Sequence, residues 1–69
     1  MSGLKINGVD RHFPDGVPST LTDLIETLGF NVATVVAEID GSIVKRQDFG
    51  GTDLQEGQSV ELLRFVGGG

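Results

Sequence analysis

The sequence predicts an α+β domain whose elements follow the order β-β-α-β-β-β. Two dipeptides, Asn7-Gly8 and Asp40-Gly41, each lie between short apolar segments, which is typical of the tight turn between two paired strands. A segment between these turns has the apolar period of a helix, and the last segment alternates apolar and polar side chains. One short helix can cover only one face of a sheet of about five strands, so we expect the other face to meet water.

The first hairpin is predicted over residues 4–13. Residues 4–9 alternate apolar and polar side chains up to and across the Asn-Gly turn, and residues 9–13 form the return strand. Pro14-Asp15-Gly16 ends this strand, because proline cannot donate a ladder hydrogen bond and Asp-Gly favours a turn.

The helix is predicted between Thr20 and Gly29. Thr20 is the expected N-cap, and Asp23 places negative charge in the first turn, where the helix dipole favours it. Gly29 is expected to end the helix in the left-handed conformation, which gives a helix of about nine residues. The apolar stripe that would face the sheet has the spacing i, i+3, i+4, i+7 and consists of Leu21, Leu24, Ile25 and Leu28.

The second half of the chain supplies three more strands. Residues 34–39 are rich in β-branched side chains, and the Asp-Gly turn leads from them into residues 42–44. The last strand is predicted over residues 59–66, after a turn at Glu56-Gly57.

Between these strands, residues 45–57 are polar and turn-rich, so we interpret them as a long connection that Phe49 and Leu54 attach to the core. The predicted core draws on every other element as well. It consists of Leu4, Ile6, Leu21, Leu24, Ile25, Leu28, Val35, Ala37, Ile43, Leu54, Val60 and Leu62.

The last strand carries apolar side chains on both of its faces. Val60 and Leu62 share one face, which we interpret as core, whereas Leu63 and Phe65 share the other face with Glu61. Exposed apolar side chains beside the end of the chain predict a docking surface.

Composition restricts the classes of function. The chain has 69 residues, enough for one domain, and five basic residues against ten acidic ones give a net charge of −5. This charge argues against a nucleic-acid partner, since phosphate contacts need Lys and Arg. Cysteine is absent, which excludes disulfides, thiolate catalysis and Cys-based metal sites. No apolar stretch approaches the roughly 20 residues that span a bilayer, so the sequence predicts a cytoplasmic protein with no membrane partner.

No group of residues has the pattern of a catalytic or metal centre. His12, the single histidine, is interpreted as a partly exposed structural residue. The carboxylates Asp48, Asp53 and Glu56 lack the spacing of a calcium loop, and the Lys45-Arg46 pair is interpreted as a solvated strand end. We therefore expect a protein that is not an enzyme and that binds no cofactor.

The end of the sequence is Gly67-Gly68-Gly69. It is open to two interpretations: a frayed end or remnant of cloning, or a reactive arm. Glycine has no Cβ, so a carboxylate on such a tail can enter a narrow channel, and residues 66–69 could extend it about 13 to 14 Å beyond the last strand. An ionised carboxylate is a poor electrophile, so it would need activation, for example by joining to AMP, on another protein.

These segments together resemble a known family. Ile6-Asn7-Gly8, "T-x-x-D-L-I-x-x-L-G" at residues 20–29, "V-A-x-x-x-x-x-I-V" at residues 36–44 and "G-x-x-V-E-L-L-x-F-V-G-G-G" at residues 57–69 are similar to the thiamine-biosynthesis sulfur carrier (ThiS-like) proteins. These belong to the ubiquitin-like β-grasp superfamily. The resemblance covers essentially the whole chain, and its most specific part is the end, residues 65–69. It implies a mixed sheet with one helix across one face, a β-grasp domain over residues 1–66 and a flexible tail over residues 67–69.

The resemblance also implies a function and its partners. An adenylating enzyme would use ATP to convert Gly69 to an acyl-adenylate, and persulfide sulfur from a cysteine desulfurase would turn it into a thiocarboxylate. Thiazole synthase would then accept the sulfur to build the thiazole of thiamine. Gly67, Gly68 and Gly69 would enter the partners' active sites, and Leu63, Phe65 and Val66 would dock. When free, the carrier is expected to be a monomer.

Three alternatives remain open at this point. The small subunit of molybdopterin synthase would have the same fold, tail and activation chemistry with another sulfur acceptor. A ubiquitin-like modifier would instead join Gly69 to lysines in isopeptide bonds. A non-covalent β-grasp binding module would not need the tail at all.

Overall fold

Residues 3–64 are described by the computed structural model of the protein, and they form a sheet and one α-helix. The elements in chain order are β1 (Gly3–Ile6), β2 (Val9–His12), α1 (Leu21–Thr27), β3 (Val35–Ile39), β4 (Ser42–Val44) and β5 (Ser59–Arg64). Short 3-10 helices occupy Val32–Thr34 and Arg46–Gly51. The predicted element order is therefore confirmed.

The five strands form one sheet in the order β2-β1-β5-β3-β4. β1 and β5 are parallel, whereas the pairs β1–β2, β3–β5 and β3–β4 are antiparallel. The last strand of the chain thus lies in the middle of the sheet, between the first and third strands. This is the mixed sheet that the family resemblance implies.

Both predicted hairpin turns form as expected. Asn7 and Gly8 have φ angles of 50° and 82°, and Asp40 and Gly41 have φ angles of 49° and 88°. A two-residue turn with both φ angles positive matches the right-handed twist of the strands that it joins. Asparagine and aspartate tolerate this conformation better than most residues, which explains why they precede glycine here.

The helix begins and ends at the predicted signals but is shorter than predicted, running over Leu21–Thr27. The Thr20 hydroxyl accepts a hydrogen bond from the Asp23 N–H at 3.2 Å. At the other end Gly29 has a φ of 82°, and its N–H donates to the Glu26 carbonyl at 2.9 Å. The Phe30 N–H donates to the Ile25 carbonyl at 3.0 Å, which completes a Schellman motif.

The core lies between the helix and one face of the sheet. It consists of Leu4, Ile6, Leu21, Leu24, Ile25, Val35, Ala37, Phe49, Val60 and Leu62. Leu28 and Leu54 are partly buried and pack against it. These positions agree with the prediction, including the attachment of the long connection through Phe49 and Leu54.

The prediction that Ile43 belongs to the core is wrong. Its side chain is 71% exposed, because Val44 pairs with Ala37 and takes the inward position, which turns Ile43 to the other face. Some strand boundaries also differ. β2 ends at His12 rather than residue 13, and β3 begins at Val35 because Thr34 closes a 3-10 turn whose N-cap is Asn31.

The end of the chain lies outside the described residues. The last strand is predicted to reach residue 66, and its described part runs to Arg64. The domain boundary at residue 66 therefore stays a prediction, as do the roles of Phe65, Val66 and Gly67–Gly69. Over residues 3–64, no helix has the length and apolar character needed to cross a membrane.

Candidate functional site

One face of the sheet is not covered by the helix, and we refer to it as the open face. In β5, Val60 and Leu62 are buried beneath α1, so strand alternation directs Glu61 and Leu63 to the open face. Leu63 is 62% exposed, which agrees with its predicted placement. Its role in docking stays a prediction.

An apolar patch on the open face is formed by Leu63, Val36 and Ile43. Val36 lies directly opposite Leu63 in the antiparallel β3–β5 pair and is half-buried. Ile43, in β4, lies opposite Glu38 of β3. It is therefore also on the open face, diagonal to Val36. The apolar patch therefore spans β5, β3 and β4, the three strands at the β4 edge of the sheet.

Two carboxylates lie beside the apolar patch. Glu38 and Glu61 are directly opposite each other in the β3–β5 pair. Like charges in this relation repel and destabilise the sheet. Lys5 is paired with Ser59, which puts its ammonium group on the same face but earlier along β5. The open face thus combines an apolar patch with a pair of adjacent carboxylates, and it also carries Lys5.

The end of β5, which leads into the tail, is attached to its surroundings in two ways. The Asn7 carboxamide makes hydrogen bonds to both backbone groups of Leu62, with N–O distances of 3.1 Å and 2.7 Å. The Arg64 guanidinium carbon lies 4.7 Å from the centroid of the Phe30 ring, a cation–π contact. These contacts hold the last described residues of the strand, which precede the predicted tail in the sequence.

The remaining charged candidates agree with their interpretation as surface residues. His12 is exposed, as is the whole of β2. Arg46 donates from Nε to the Val32 carbonyl at 3.1 Å, a contact that joins two loops. Between residues 3 and 64 no group of three acidic or histidine side chains could hold a metal ion. In that part of the chain no buried side-chain nitrogen or oxygen lacks a hydrogen-bond partner either.

Sequence reasoning did not find several residues of this site. Val36 lies in a predicted strand between two core residues, and alternation could have assigned it to the open face. Ile43 is predicted in the core, and Glu38 is not among the predicted site residues. The bonds between Asn7 and Leu62 join residues 55 positions apart, and no local signal in the sequence indicates them.

Comparison with known proteins identifies relatives of the whole chain. Residues 4–69 match the model of the ThiS family. A crystal structure of the thiamine biosynthesis protein ThiS from Geobacter metallireducens superposes with a TM-score of 0.80, at 33% identity, over 97% of this chain and 99% of that one. A solution structure of a thiamine biosynthesis protein from the same organism gives a TM-score of 0.79, also at 33% identity, over 97% of this chain and 87% of that one.

A curated relative is much longer. The chain is 33% identical over 66 residues to a protein of Magnetococcus marinus named thiazole synthase. The match covers 96% of this chain but only 20% of that protein, so the chain spans about a fifth of its length. A segment similar to this chain therefore occurs within a polypeptide that is named for thiazole synthesis.

Proposed function

The chain belongs to the ThiS family, and from this premise we propose that it is a sulfur carrier for thiazole formation in thiamine biosynthesis. The observation that supports the proposal most directly is the extent of the family match, which runs from residue 4 to the last glycine, Gly69. The fold supports it further, since the two similar ThiS structures share the arrangement of the whole domain.

The proposed reactive group is the carboxylate of Gly69. An adenylating enzyme joins it to the α-phosphate of ATP, which releases pyrophosphate and makes the carbonyl carbon electrophilic. The terminal sulfur of a protein persulfide, supplied by a cysteine desulfurase, attacks this carbon, and AMP leaves. A thiol then cleaves the resulting acyl disulfide, which leaves a thiocarboxylate on Gly69 and a disulfide on the donor side.

The composition of the chain favours its terminus as the place that holds sulfur. The sequence has no cysteine, so no side chain can carry a persulfide. We therefore propose that the protein is a substrate of its partners, with ATP bound by the adenylating enzyme.

The open face is the proposed docking surface for the adenylating enzyme. Leu63 is exposed, belongs to the strand that leads into the tail, and lies opposite Val36. Docking through this apolar patch would bring the tail to the enzyme at the same time. Glu38 and Glu61 favour a partner that presents Lys or Arg beside its apolar contact. Phe65 and Val66 are proposed to extend the same contact.

Thiazole synthase is the proposed sulfur acceptor. Support comes from the Magnetococcus marinus protein, which bears that name and contains a segment similar to this chain. Because a segment similar to this chain lies within a polypeptide of that name, we propose that a separate thiazole synthase binds this chain and takes the sulfur from Gly69.

The intact mass of the protein tests the proposal. The purified protein is incubated with an adenylating enzyme, ATP, a cysteine desulfurase and cysteine, and we expect a gain equal to the difference between sulfur and oxygen, localised to Gly69 by fragmentation. The matched control carries one extra alanine after Gly69 and should gain nothing. Sulfur on the extended variant, or isopeptide ladders in place of free thiocarboxylate, would contradict the proposal.

A further inference from the structure

The last strand extends beyond its parallel partner. β1 ends at Ile6, which is paired with Val60, and the chain then turns away at Asn7. β5 continues to Arg64 and stays paired with β3 up to that residue. On the side of β5 that faces away from β3, β1 has already ended, so it offers Leu62 no backbone partner.

The side chain of Asn7 takes the place of the missing strand. Its Nδ2 donates to the Leu62 carbonyl at 3.1 Å, and the Leu62 N–H donates to its Oδ1 at 2.7 Å. The Asn7 backbone N–H donates to the Val60 carbonyl at 2.9 Å. A carboxamide presents the same donor and acceptor as a peptide group, so these bonds continue the ladder from Val60 to Leu62.

The second hairpin turn makes a similar bond at the opposite end of β5. Asp40, like Asn7, is the first residue of its turn and has a positive φ. Its Oδ1 accepts a hydrogen bond from the Ser59 N–H at 2.9 Å. Side chains from the two turns thus hold β5 at its start and near its end, and of the two only Asn7 acts at the end that precedes the predicted tail in the sequence.

We propose that Asn7 is a positioning residue, which holds the end of β5 so that Leu63 and Gly69 reach the adenylating enzyme together. This inference rests on the proposed function. Gly69 follows Leu63 by six residues, so the two can be separated by at most about 20 to 22 Å. If the end of β5 opened, Leu63 would leave the open face, and ordering it again on the enzyme would weaken binding.

The test compares Asn7→Gly with Asp40→Gly. In each variant the new glycine accepts the positive φ of the turn. Asn7→Gly removes the side-chain bonds to β5 at the end that precedes the predicted tail, whereas Asp40→Gly removes the bond at the start of β5. With the adenylating enzyme and ATP, we expect Asn7→Gly to raise the KM for the carrier about tenfold while kcat stays near wild type, since both side-chain hydrogen bonds to Leu62 are lost. Asp40→Gly should leave KM within about twofold.

Hydrogen exchange supplies a second readout that does not depend on the enzyme. Strand alternation turns the Leu63 N–H toward β3, so it has no bond to Asn7. Opening of the strand end predicts faster exchange at Leu63 in Asn7→Gly and no change in Asp40→Gly. If Asn7→Gly does not fold, Asn7→Asp replaces it under the same criteria, because aspartate keeps the hydrogen-bond acceptor and loses the donor.

The outcomes separate this inference from the proposed function. If the wild-type protein is adenylated but Asn7→Gly and Asp40→Gly behave alike in KM and in Leu63 exchange, the positioning role is wrong and the sulfur-carrier proposal stands. If the wild-type protein is not adenylated, the proposed function fails, and the positioning role fails with it.

Discussion

At the scale of single residues, Leu63 and Val9 are almost equally exposed, at 62% and 61%, but they lie on different faces of the sheet. Val9 pairs with Ile6 and is on the helix side of the edge strand β2, whereas Leu63 is on the open face. This pair therefore separates the effect of an exposed apolar side chain from the effect of its position. Only Leu63 belongs to the strand that leads into the predicted tail.

We expect Leu63→Asn to lower kcat/KM for adenylation at least about tenfold, because it removes an apolar contact at the proposed interface. Val9→Asn should change it less than about twofold, since a surface substitution away from the interface has little effect. Neither variant should change the unfolding temperature by more than a few degrees, which thermal unfolding checks. Equal losses of kcat/KM in the two variants would contradict docking through the open face.

At the scale of elements, the antiparallel pair of β3 and β5 contains a contact that weakens the fold. Glu38 and Glu61 are directly opposite each other, and like charges in this position repel. Core packing on the helix side does not require these carboxylates, because both project to the open face. A function in partner recognition would account for them, since charges at an interface increase the association rate.

We expect Glu38→Gln to stabilise the free protein by about 0.2–1 kcal/mol and to slow its association with the adenylating enzyme. The dependence of the association rate on salt should also decrease, because one charge fewer contributes to attraction. The matched control is Glu26→Gln, an exposed position on the helix, which removes the same charge away from the open face. Stopped-flow mixing measures the association rate of each variant at two salt concentrations. An association rate that falls equally in both variants would indicate a general charge effect and no specific docking role.

The elements also show how far the sequence can determine the fold. Turn dipeptides, the helical stripe and the helix-ending glycine are local signals, and each gave the correct element. Strand faces are different, because alternation permits only one of two adjacent apolar residues to point inward. Ile43 and Val44 are both apolar, and the pairing of Val44 with Ala37 decides between them. That pairing is tertiary information.

The candidate site was predictable to a similar extent. Leu63 could be assigned to the open face, because alternation over residues 59–64 fixes the faces of β5 relative to its buried residues. Asn7 could be recognised as a turn residue, but its bonds to Leu62 depend on the parallel pairing of the first and last strands. Contacts between distant segments of the chain carry no local pattern, so only the folded arrangement reveals them.

At the scale of the whole molecule, stability and recognition use opposite faces of one sheet. Among residues 3–64, all ten buried apolar residues belong to a single core cluster, which includes Leu21, Leu24 and Ile25 of α1. The chain has no cysteine, so no disulfide supports this cluster. The face that would bind partners can therefore vary with little cost to folding, whereas the helix face cannot.

This division predicts opposite results for two truncations of similar size. Leu24 is 0% exposed and Ile43 is 71% exposed. Leu24→Ala is expected to lower the free energy of unfolding by about 2–5 kcal/mol, because it leaves a cavity in the core. For a domain of this size that loss corresponds to a decrease of roughly 8–40 °C in the unfolding temperature.

Ile43→Ala should lower the free energy of unfolding by less than about 0.5 kcal/mol, because its side chain meets water in the folded protein. Its effect should appear instead in docking, as a higher KM in the adenylation assay. Urea unfolding of the two variants, with wild type alongside, measures the difference. A loss for Ile43→Ala that approached that of Leu24→Ala would place Ile43 in the core after all. It would also remove one of the three residues that form the apolar patch.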